Sequence, residues 1–269
     1  MLKNIAVIRS GGDIGTAIAH KLLRCGFKVL ILEKASPLAI RRTVSFSEAI
    51  FDGETEVEGI KAVKVHEIDG IIGAWADNNV PIMVDETGSI IKEIPVDIVV
   101  DAILAKKNLG TYRGMAPITI GVGPGFQAGI DVDVVIETNR GHDLGRLIFQ
   151  GSAEADTGIP GVIMGFGKER VIKAPCDGKI KIIKDIGETV CKEEVIAYID
   201  KTPIKATIDG VVRGMIKEFT SIKTGLKIAD IDPRGKLDHC YTMSDKARAI
   251  AGGVLEAILH IKHKKNIEL

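Results

Sequence analysis

The hydrophobic pattern changes its period along the chain. Residues 4–9 form a short apolar run that stops at Ser10-Gly11-Gly12. Ile14, Ala17, Ile18, Leu22 and Cys25 then recur at helical spacing, and residues 28–32 form a second β-rich run ending at Glu33. Strand, glycine turn, helix and strand make a βαβ unit. The alternation continues with a strand at 62–65, a helix at 67–77, a strand at 80–84 ending at Asp85, and a strand at 97–100 ending at Asp101. Strands interleaved with helices predict a parallel sheet. From Thr111 to Gly167 the texture shifts to short β runs among dense glycines, with 131–138 reading as a strand. Further on, 172–200 and 204–232 align without a gap at an offset of 32, and nine of their 29 positions are identical. One such copy is too small to bury its apolar face alone, so the two are expected to close on each other. A final stripe of Ala247, Ile250, Ala251, Val254, Leu255 and Ile258 predicts a helix over 244–260, with Ser244 as its N-cap.

Composition narrows the function. At 269 residues the chain has room for about two domains. Lys plus Arg and Asp plus Glu both number 36, so no net positive field points to nucleic acid or an anionic membrane. Aromatic residues make up 4%, leaving few rings to stack bases. No apolar stretch reaches the roughly 20 residues of a membrane helix. Cys25, Cys176, Cys191 and Cys240 include no Cys-x-x-Cys pair, so no zinc site is expected. Reduced thiols in a cytoplasm fit this pattern. Glycine, at 30 residues, is the outlier.

Several of those glycines mark candidate chemistry. Gly11, Gly12 and Gly15 form a turn that would aim backbone N–H groups and a helix N-terminus at a phosphate. Ser10 stands where the first glycine of a dinucleotide fingerprint is expected, and Asp13 adds a negative charge beside the phosphate position. Glu33 lies where an acid would bond a ribose hydroxyl. Asp85 and Asp101, at strand ends, are candidates for the same site or caps of the next turn. Arg41 and Arg42 follow in a loop that could hold a phosphate. Gly123 and Gly125 sit in a second glycine-dense turn. Asp131, Asp133 and Glu137 would share a strand face and could hold a hard cation such as magnesium. Arg140, His142 and Arg146 stand beside glycines, where two cations and an imidazole could bind phosphate and relay protons. Cys240, beside His239 and just before the last helix, is the candidate reactive thiol, since a basic neighbour and a helix N-terminus both lower a thiol's pKa.

The repeat resembles the barrel-sandwich hybrid of biotinyl and lipoyl carrier domains through Ala174-Pro175-Cys176-Asp177-Gly178 and Ile186-Gly187-Glu188-Thr189-Val190. Lys201, at the joint of the two copies, occupies about the carrier lysine's place, although no Met-Lys-Met is present. Across nearly its whole length the chain resembles the selenium-dependent molybdenum hydroxylase system proteins, the YqeB family. The resemblance rests on residues 41–46, 121–128 and 131–133, on Glu137-Thr138 and Arg140-Gly141-His142, on Leu144-Gly145-Arg146, on 225–234, and on Cys240-x-Thr242-x-Ser244-Asp245-Lys246-Ala247-Arg248.

The expected class is therefore α/β. A Rossmann-like nucleotide-type domain spans 1–110, a glycine-rich β segment 111–168, a barrel-sandwich hybrid repeat module 169–235, and a C-terminal helix and tail 236–269. The resemblance implies an accessory or maturation factor that binds molybdenum cofactor, as a pterin dinucleotide, or a nucleotide. It would assist selenium insertion or cofactor delivery, with a molybdenum hydroxylase or other maturation proteins as partners. Whether the chain is itself an enzyme, and whether it forms a homo-oligomer, stay open. The alternatives are an NAD(P)-dependent oxidoreductase and a lysine-modified carrier or docking scaffold.

Overall fold

The first strand, β1 (Ile5–Arg9), is buried along its whole length, as expected of a strand covered on both faces of a parallel sheet. The computed structural model describes residues 4–158 and 160–265. They divide into two compact units. The first comprises Met1–Pro37, Ser45–Asp156 and Met243–Leu269, and the second Leu38–Val44 and Thr157–Thr242.

In the first unit β1 leads through α1 (Asp13–Arg24) to β2 (Lys28–Glu33). There follow α2 (Ala49–Asp52), β3 (Glu54–Val57), β4 (Ile60–Val65), α3 (Ile68–Ala76), β5 (Val80–Val84) and β6 (Ile98–Asp101). β7 (Ile118–Val122), β8 (Val134–Ile136) and β9 (Leu147–Ile148) come next. The nine strands form one sheet in the order β3-β4-β5-β2-β1-β6-β7-β8-β9. Its seven central strands are parallel, and the edge strands β3 and β9 pair antiparallel. The order reverses between β1 and β6, the place where open α/β sheets bind ligands beyond their carboxyl ends.

The chain's last helix, α5 (Asp245–Lys264), packs on α1, β7 and β8. It buries Ala247, Ile250, Ala251, Val254, Ala257 and Ile258, close to the stripe read from the sequence. The Ser244 side chain caps it by accepting from the Ala247 N–H. α1 and α5 run side by side in the same direction. Lys246, at the start of α5, lies in the field of Asp13, and the ammonium of Lys262, near its end, stands over the Phe27 ring just beyond α1.

Three expectations change here. The segment 111–168 is not a layer of its own, because β7, β8 and β9 extend the same sheet. Its fully buried apolar strands need strand neighbours, and β6 supplies the first of them. The C-terminal helix and tail expected as a separate element over 236–269 divide at Thr242, the helix belonging to the first unit. The strand expected at 131–138 contracts to β8. Asp131 instead accepts from the Gln127 N–H, and Asp133 accepts from the N–H and hydroxyl of Thr119.

The second unit is built from the repeat. Its first copy carries β10 (Val171–Lys173), β11 (Gly178–Ile182), β12 (Thr189–Val190) and β13 (Val195–Ile199). Its second carries β14 (Thr202–Lys205), β15 (Gly210–Met215), β16 (Ser221–Ile222) and β17 (Lys227–Asp232), and the short α4 (Asp238–Tyr241) follows. Two four-stranded sheets form, β10-β17-β15-β12 and β14-β13-β11-β16. Exchanging the copies converts one order into the other, so each sheet is assembled from both. Their inner faces share one core that includes Ile180, Ile196 and Ile199 from the first copy and Val212, Ile228 and Ile231 from the second.

The symmetry reaches the backbone where the sequence does not. Gly187 and Phe219 are equivalent at the offset of 32, and both have positive φ, 96° and 62°. Their N–H groups donate to the equivalent carbonyls of Val212 and Ile180 at the same distance, 2.9 Å. An exposed phenylalanine in the left-handed region carries a steric cost that glycine lacks. Phe219→Gly should therefore stabilise the protein by about 1 kcal/mol in denaturant unfolding. Gly210→Ala should destabilise it by about 2 kcal/mol, because an added Cβ would stand 2.5 Å from the Asp232 carbonyl oxygen. A gain on Gly210→Ala or a loss on Phe219→Gly would contradict the shared backbone constraint.

Candidate functional site

The turn after β1 is held by one carboxylate. Glu33, at the end of β2, accepts on Oε2 from the Gly11 N–H at 2.9 Å, the Ser47 hydroxyl at 2.8 Å and the Ser10 hydroxyl at 3.3 Å. Its Oε1 accepts from the Lys34 N–H at 2.9 Å. Sequence spacing offered Glu33 to a ribose, but here it ties the glycine turn to the loop containing Ser47. That partner lies 14 residues further on, in a segment with no periodic signal. The same loop returns the Ser47 N–H to the Gly11 carbonyl at 3.0 Å, while Thr16 bridges Gly11 and Phe46 through its hydroxyl.

The glycines of the turn have separate tasks. A Cβ on Gly15 would meet the Ser10 carbonyl oxygen at 2.0 Å, so Gly15 lets α1 press against the end of β1. A Cβ on Gly11 would crowd Ile82, Ile31 and the Ser47 N–H at 3.1–3.2 Å. Gly12 faces open space apart from the Ser10 hydroxyl at 3.7 Å. It is the N-cap of α1 and has no side chain to cap that helix; its N–H donates to the Ser10 hydroxyl at 3.4 Å. Asp13 stands in its first turn, its carboxylate accepting from the Ile14 N–H at 3.0 Å. Ser10 takes φ 83°, a conformation that suits the glycine it replaces.

The switch point between β1 and β6 is filled by protein. Buried Arg9 pairs with buried Asp101 at 3.4 Å and donates to the Thr111 hydroxyl at 2.6 Å and the Glu86 carbonyl at 2.9 Å. Thr111 donates in turn to Asp101 at 2.7 Å. Asp101 is thus the partner of Arg9, which in the sequence is marked only as the last residue of a strand. Asp85 caps the turn after β5, accepting from the Gly88 and Ile90 N–H groups at 2.9 Å.

Further along the sheet edge the candidates disperse. Gly123 and Gly125 have positive φ, and added Cβ atoms would meet Thr138 Oγ1 at 2.8 Å and the Lys107 N at 2.6 Å, which accounts for both by packing. Asp131, Asp133 and Glu137 do not converge. Asp133 accepts from Thr119 and pairs with Arg113, whereas buried Glu137 accepts three backbone N–H groups, from Thr138, Asn139 and Glu154. Among the described residues no group of three His, Cys, Asp or Glu side chains could hold a metal ion. His142 is exposed, and Arg146 pairs with its exposed neighbour Asp143. Arg140 holds Asp245 in a two-pronged pair at 2.8 and 2.9 Å, fixing its loop on the first turn of α5. That contact brings Lys246 into a group with Asp13, Glu137, Arg140 and Asp156. In the sequence Lys246 has no distinguishing spacing beyond its place two residues after an N-cap.

Arg41, Arg42 and Cys240 belong to the second unit. Arg41 donates to the carbonyls of His239 and Thr242, and Arg42 to that of Met215. Cys240 is fully buried, and its thiol donates to the Val212 carbonyl at 3.7 Å. Burial pushes the thiol's pKa up and outweighs the pull of Arg41 and Arg213, so the lowered pKa expected for Cys240 is reversed. Beside it runs a buried network: Arg170 and Arg213 on Asp230, and Arg213 and Arg234 on Asp232. Burial raises the Asp232 carboxyl, but hydrogen bonds from the Arg234 side chain and N–H, with the charges of Arg234 and Arg213, overcome it and hold it at about 2. Lys201 stands exposed in the two-residue turn between β13 and β14, at the joint of the two copies.

Two outcomes follow for this unit. Iodoacetamide should alkylate exposed Cys25 and Cys191 in the native protein well before Cys240, and early labelling of Cys240 in peptide mass spectra would refute its burial. The Asp232 pKa is lower in the folded than in the unfolded protein. Its stabilisation, about 2 kcal/mol, is therefore present above pH ~4 and lost as the pH falls towards 2. The stability gap between wild type and Asp232→Asn should close over that range in urea titrations. A gap that stays constant would show that the carboxylate is not the titrating group.

No protein-family model matches the chain. The Escherichia coli (strain K12) uncharacterized protein YqeB is 46% identical over 260 residues, which cover 97% of this chain and 48% of that protein. Among solved structures, the ectoine utilization protein EutE (DoeB) of Ruegeria pomeroyi, with product bound, aligns at 13% identity over 84% of both chains with a TM-score of 0.25. A succinylglutamate desuccinylase/aspartoacylase of Rhodobacter sphaeroides aligns at 14% over 84% of this chain and 85% of its own, with a TM-score of 0.26. Likeness at those scores carries no argument about fold or chemistry. The sequence match does: it supports the YqeB family, and this chain is a relative of YqeB that spans about half of that protein's length.

Proposed function

We propose that the chain is an accessory factor in the maturation of selenium-dependent molybdenum hydroxylases, and that it binds the pterin dinucleotide form of the molybdenum cofactor, or a nucleotide, as cargo at the turn of Gly11, Gly12 and Asp13. In this reading the nine-stranded sheet is Rossmann-like and the paired sheets are a barrel-sandwich hybrid. The observation that carries it is the N-terminus of α1. The helix lies at the carboxyl edge of a parallel sheet, its N-cap Gly12 has no side chain and an open α-carbon, and Glu33, Ser10 and Asp13 accept from the Gly11, Gly12 and Ile14 N–H groups around it. The positive helix end there suits a phosphate. Glu33 does not suit the ribose, since four donors already engage it.

The same facts weaken the oxidoreductase alternative. A dinucleotide crossing the switch point would have to displace the Arg9–Asp101 pair. Selenium handling by Cys240 draws no support from a thiol with no exposed surface. A molybdenum hydroxylase or another maturation protein remains the proposed partner. A carrier role is the second reading, favoured by the exposed turn position of Lys201. Intact mass spectrometry finding neither biotin nor lipoate on the purified protein would remove it.

Calorimetric titration with the pterin dinucleotide cofactor tests the leading reading. Because the Gly12 Cβ position is open, Gly12→Val should fold normally while its side chain obstructs the phosphate. The dissociation constant should rise at least about tenfold, or ~1.4 kcal/mol. Absence of binding by the wild type, or an unchanged affinity in Gly12→Val, would overturn this placement of the site.

A further inference from the structure

The amino edge of the nine-stranded sheet, opposite the turn of Gly11 and Gly12, holds a cavity of about 660 Å³, a size common among small-molecule sites. It opens where the chain enters β6, β7 and β8. One side of it is apolar. Ile91 and Ala116 belong to the core that includes Val7 and Val99, and half-buried Ile94, Val96 and Met115 pack against that core. All five line the cavity, so the sheet's own core reaches the surface there.

The charged lining is Arg113, Asp133 and Lys265. Asp133 is engaged on both oxygens, accepting from the Thr119 N–H and hydroxyl at 2.9 Å and from the Arg113 Nε at 3.0 Å. Burial raises its carboxyl, but the Thr119 and Arg113 hydrogen bonds and the Lys265 charge overcome it and keep it ionised. Two cations against one carboxylate leave the lining positive. Both cations are anchored and both keep donors in hand. Arg113 donates from Nη1 to the Gly129 carbonyl at 3.0 Å, and its Nη2 makes no hydrogen bond among the described residues. Lys265, the C-cap of α5, donates to the Pro117 carbonyl at 2.8 Å, which leaves its other ammonium N–H groups for a ligand.

We propose that this cavity binds a small alkyl monocarboxylate, its head on the Arg113 Nη2 and the Lys265 ammonium and its chain along Ile94, Val96 and Met115. A guanidinium and an ammonium both make charge-assisted hydrogen bonds to a carboxylate. The apolar side gives the chain a surface to leave water for. Anchoring by Asp133, Gly129 and Pro117 lowers the ordering cost that two long cationic side chains would otherwise bring to binding. Asp133 limits the ligand's charge, because a second carboxylate in the cavity would meet it. The site lies at the edge of the sheet away from Gly12, so it does not rest on cargo binding there and stands or falls separately.

The test is an NMR titration of the full chain, isotope-labelled at its methionine methyl groups, with hexanoate as the probe. The Met115 methyl should shift and saturate with a dissociation constant below about 10 mM, while that of Met83, near the carboxyl end of β5, stays in place. Acetate has the head without the chain, and hexanol the chain without the charge. Each should bind at least about tenfold more weakly than hexanoate. In the double variant Arg113→Gln, Lys265→Gln, where Thr119 still holds Asp133, hexanoate should lose at least about tenfold in affinity. The proposal is overturned if Met115 shows no saturable shift, or if acetate or hexanol binds as tightly as hexanoate. It is overturned equally if the double variant, with the circular dichroism of the wild type, keeps the full affinity. The three ligands are compared on the wild type, so they decide the matter even if the variant does not fold.

Discussion

The carboxylate of Glu33 is the constraint on which the carboxyl edge of the sheet depends. β1 must stop and the chain must reverse into α1 within four residues, and that reversal leaves the Gly11 N–H inside the protein. A buried donor without an acceptor would be costly. Glu33 supplies the acceptor from the neighbouring strand, and its remaining capacity draws Ser10, Ser47 and Lys34 to the same point. Gly15 complements it by letting α1 approach the Ser10 carbonyl where no side chain would fit. The direction of α1, and with it the exposure of its N-terminus, is therefore set by one acid and one absent Cβ.

The second unit rests on a different constraint. Neither copy of the repeat has a complete sheet of its own, so every strand of one copy must find its partners partly in the other. This is why nine identities in 29 suffice. The identical residues include Asp177-Gly178 and Asp209-Gly210 at the turns and Ile196-Ala197 and Ile228-Ala229 in the core, positions where conformation or packing leaves little choice. Elsewhere the copies diverge, and there Arg213 and Asp230 arise on the second copy alone, where the first has Lys181 and Tyr198; they join Asp232, whose counterpart is Asp200.

What was legible in the sequence follows from range. Period and punctuation are local, so the buried run of β1, the stripe of α5 and the offset of 32 read through directly. Partnership is not local. Glu33 looked available because Ser47 carries no signal, and Asp101 looked like a ligand because Arg9 lies 92 residues away. The carboxylates around β8 looked like a cluster because alternation was extended past the point where Thr119 and Gln127 claim Asp133 and Asp131. Cys240 shows the same limit in electrostatics: its basic neighbours were visible, but its burial, the larger effect, was not.

Lys246 departs from three local rules at once. A helix N-terminus favours anions, and both α1 and α5 obey by placing Asp13 and Asp245 in their first turns. Lys246 sets a cation in that same turn, against the dipole. It is also partly desolvated, and it stands beside Arg140. A glutamine or leucine there would satisfy the helix at less cost, and an acid would also answer Arg140. None of the three carboxylates nearby gives compensation within ion-pair distance. The conflict lies at the carboxyl edge of the parallel sheet, the edge where this architecture places its ligands.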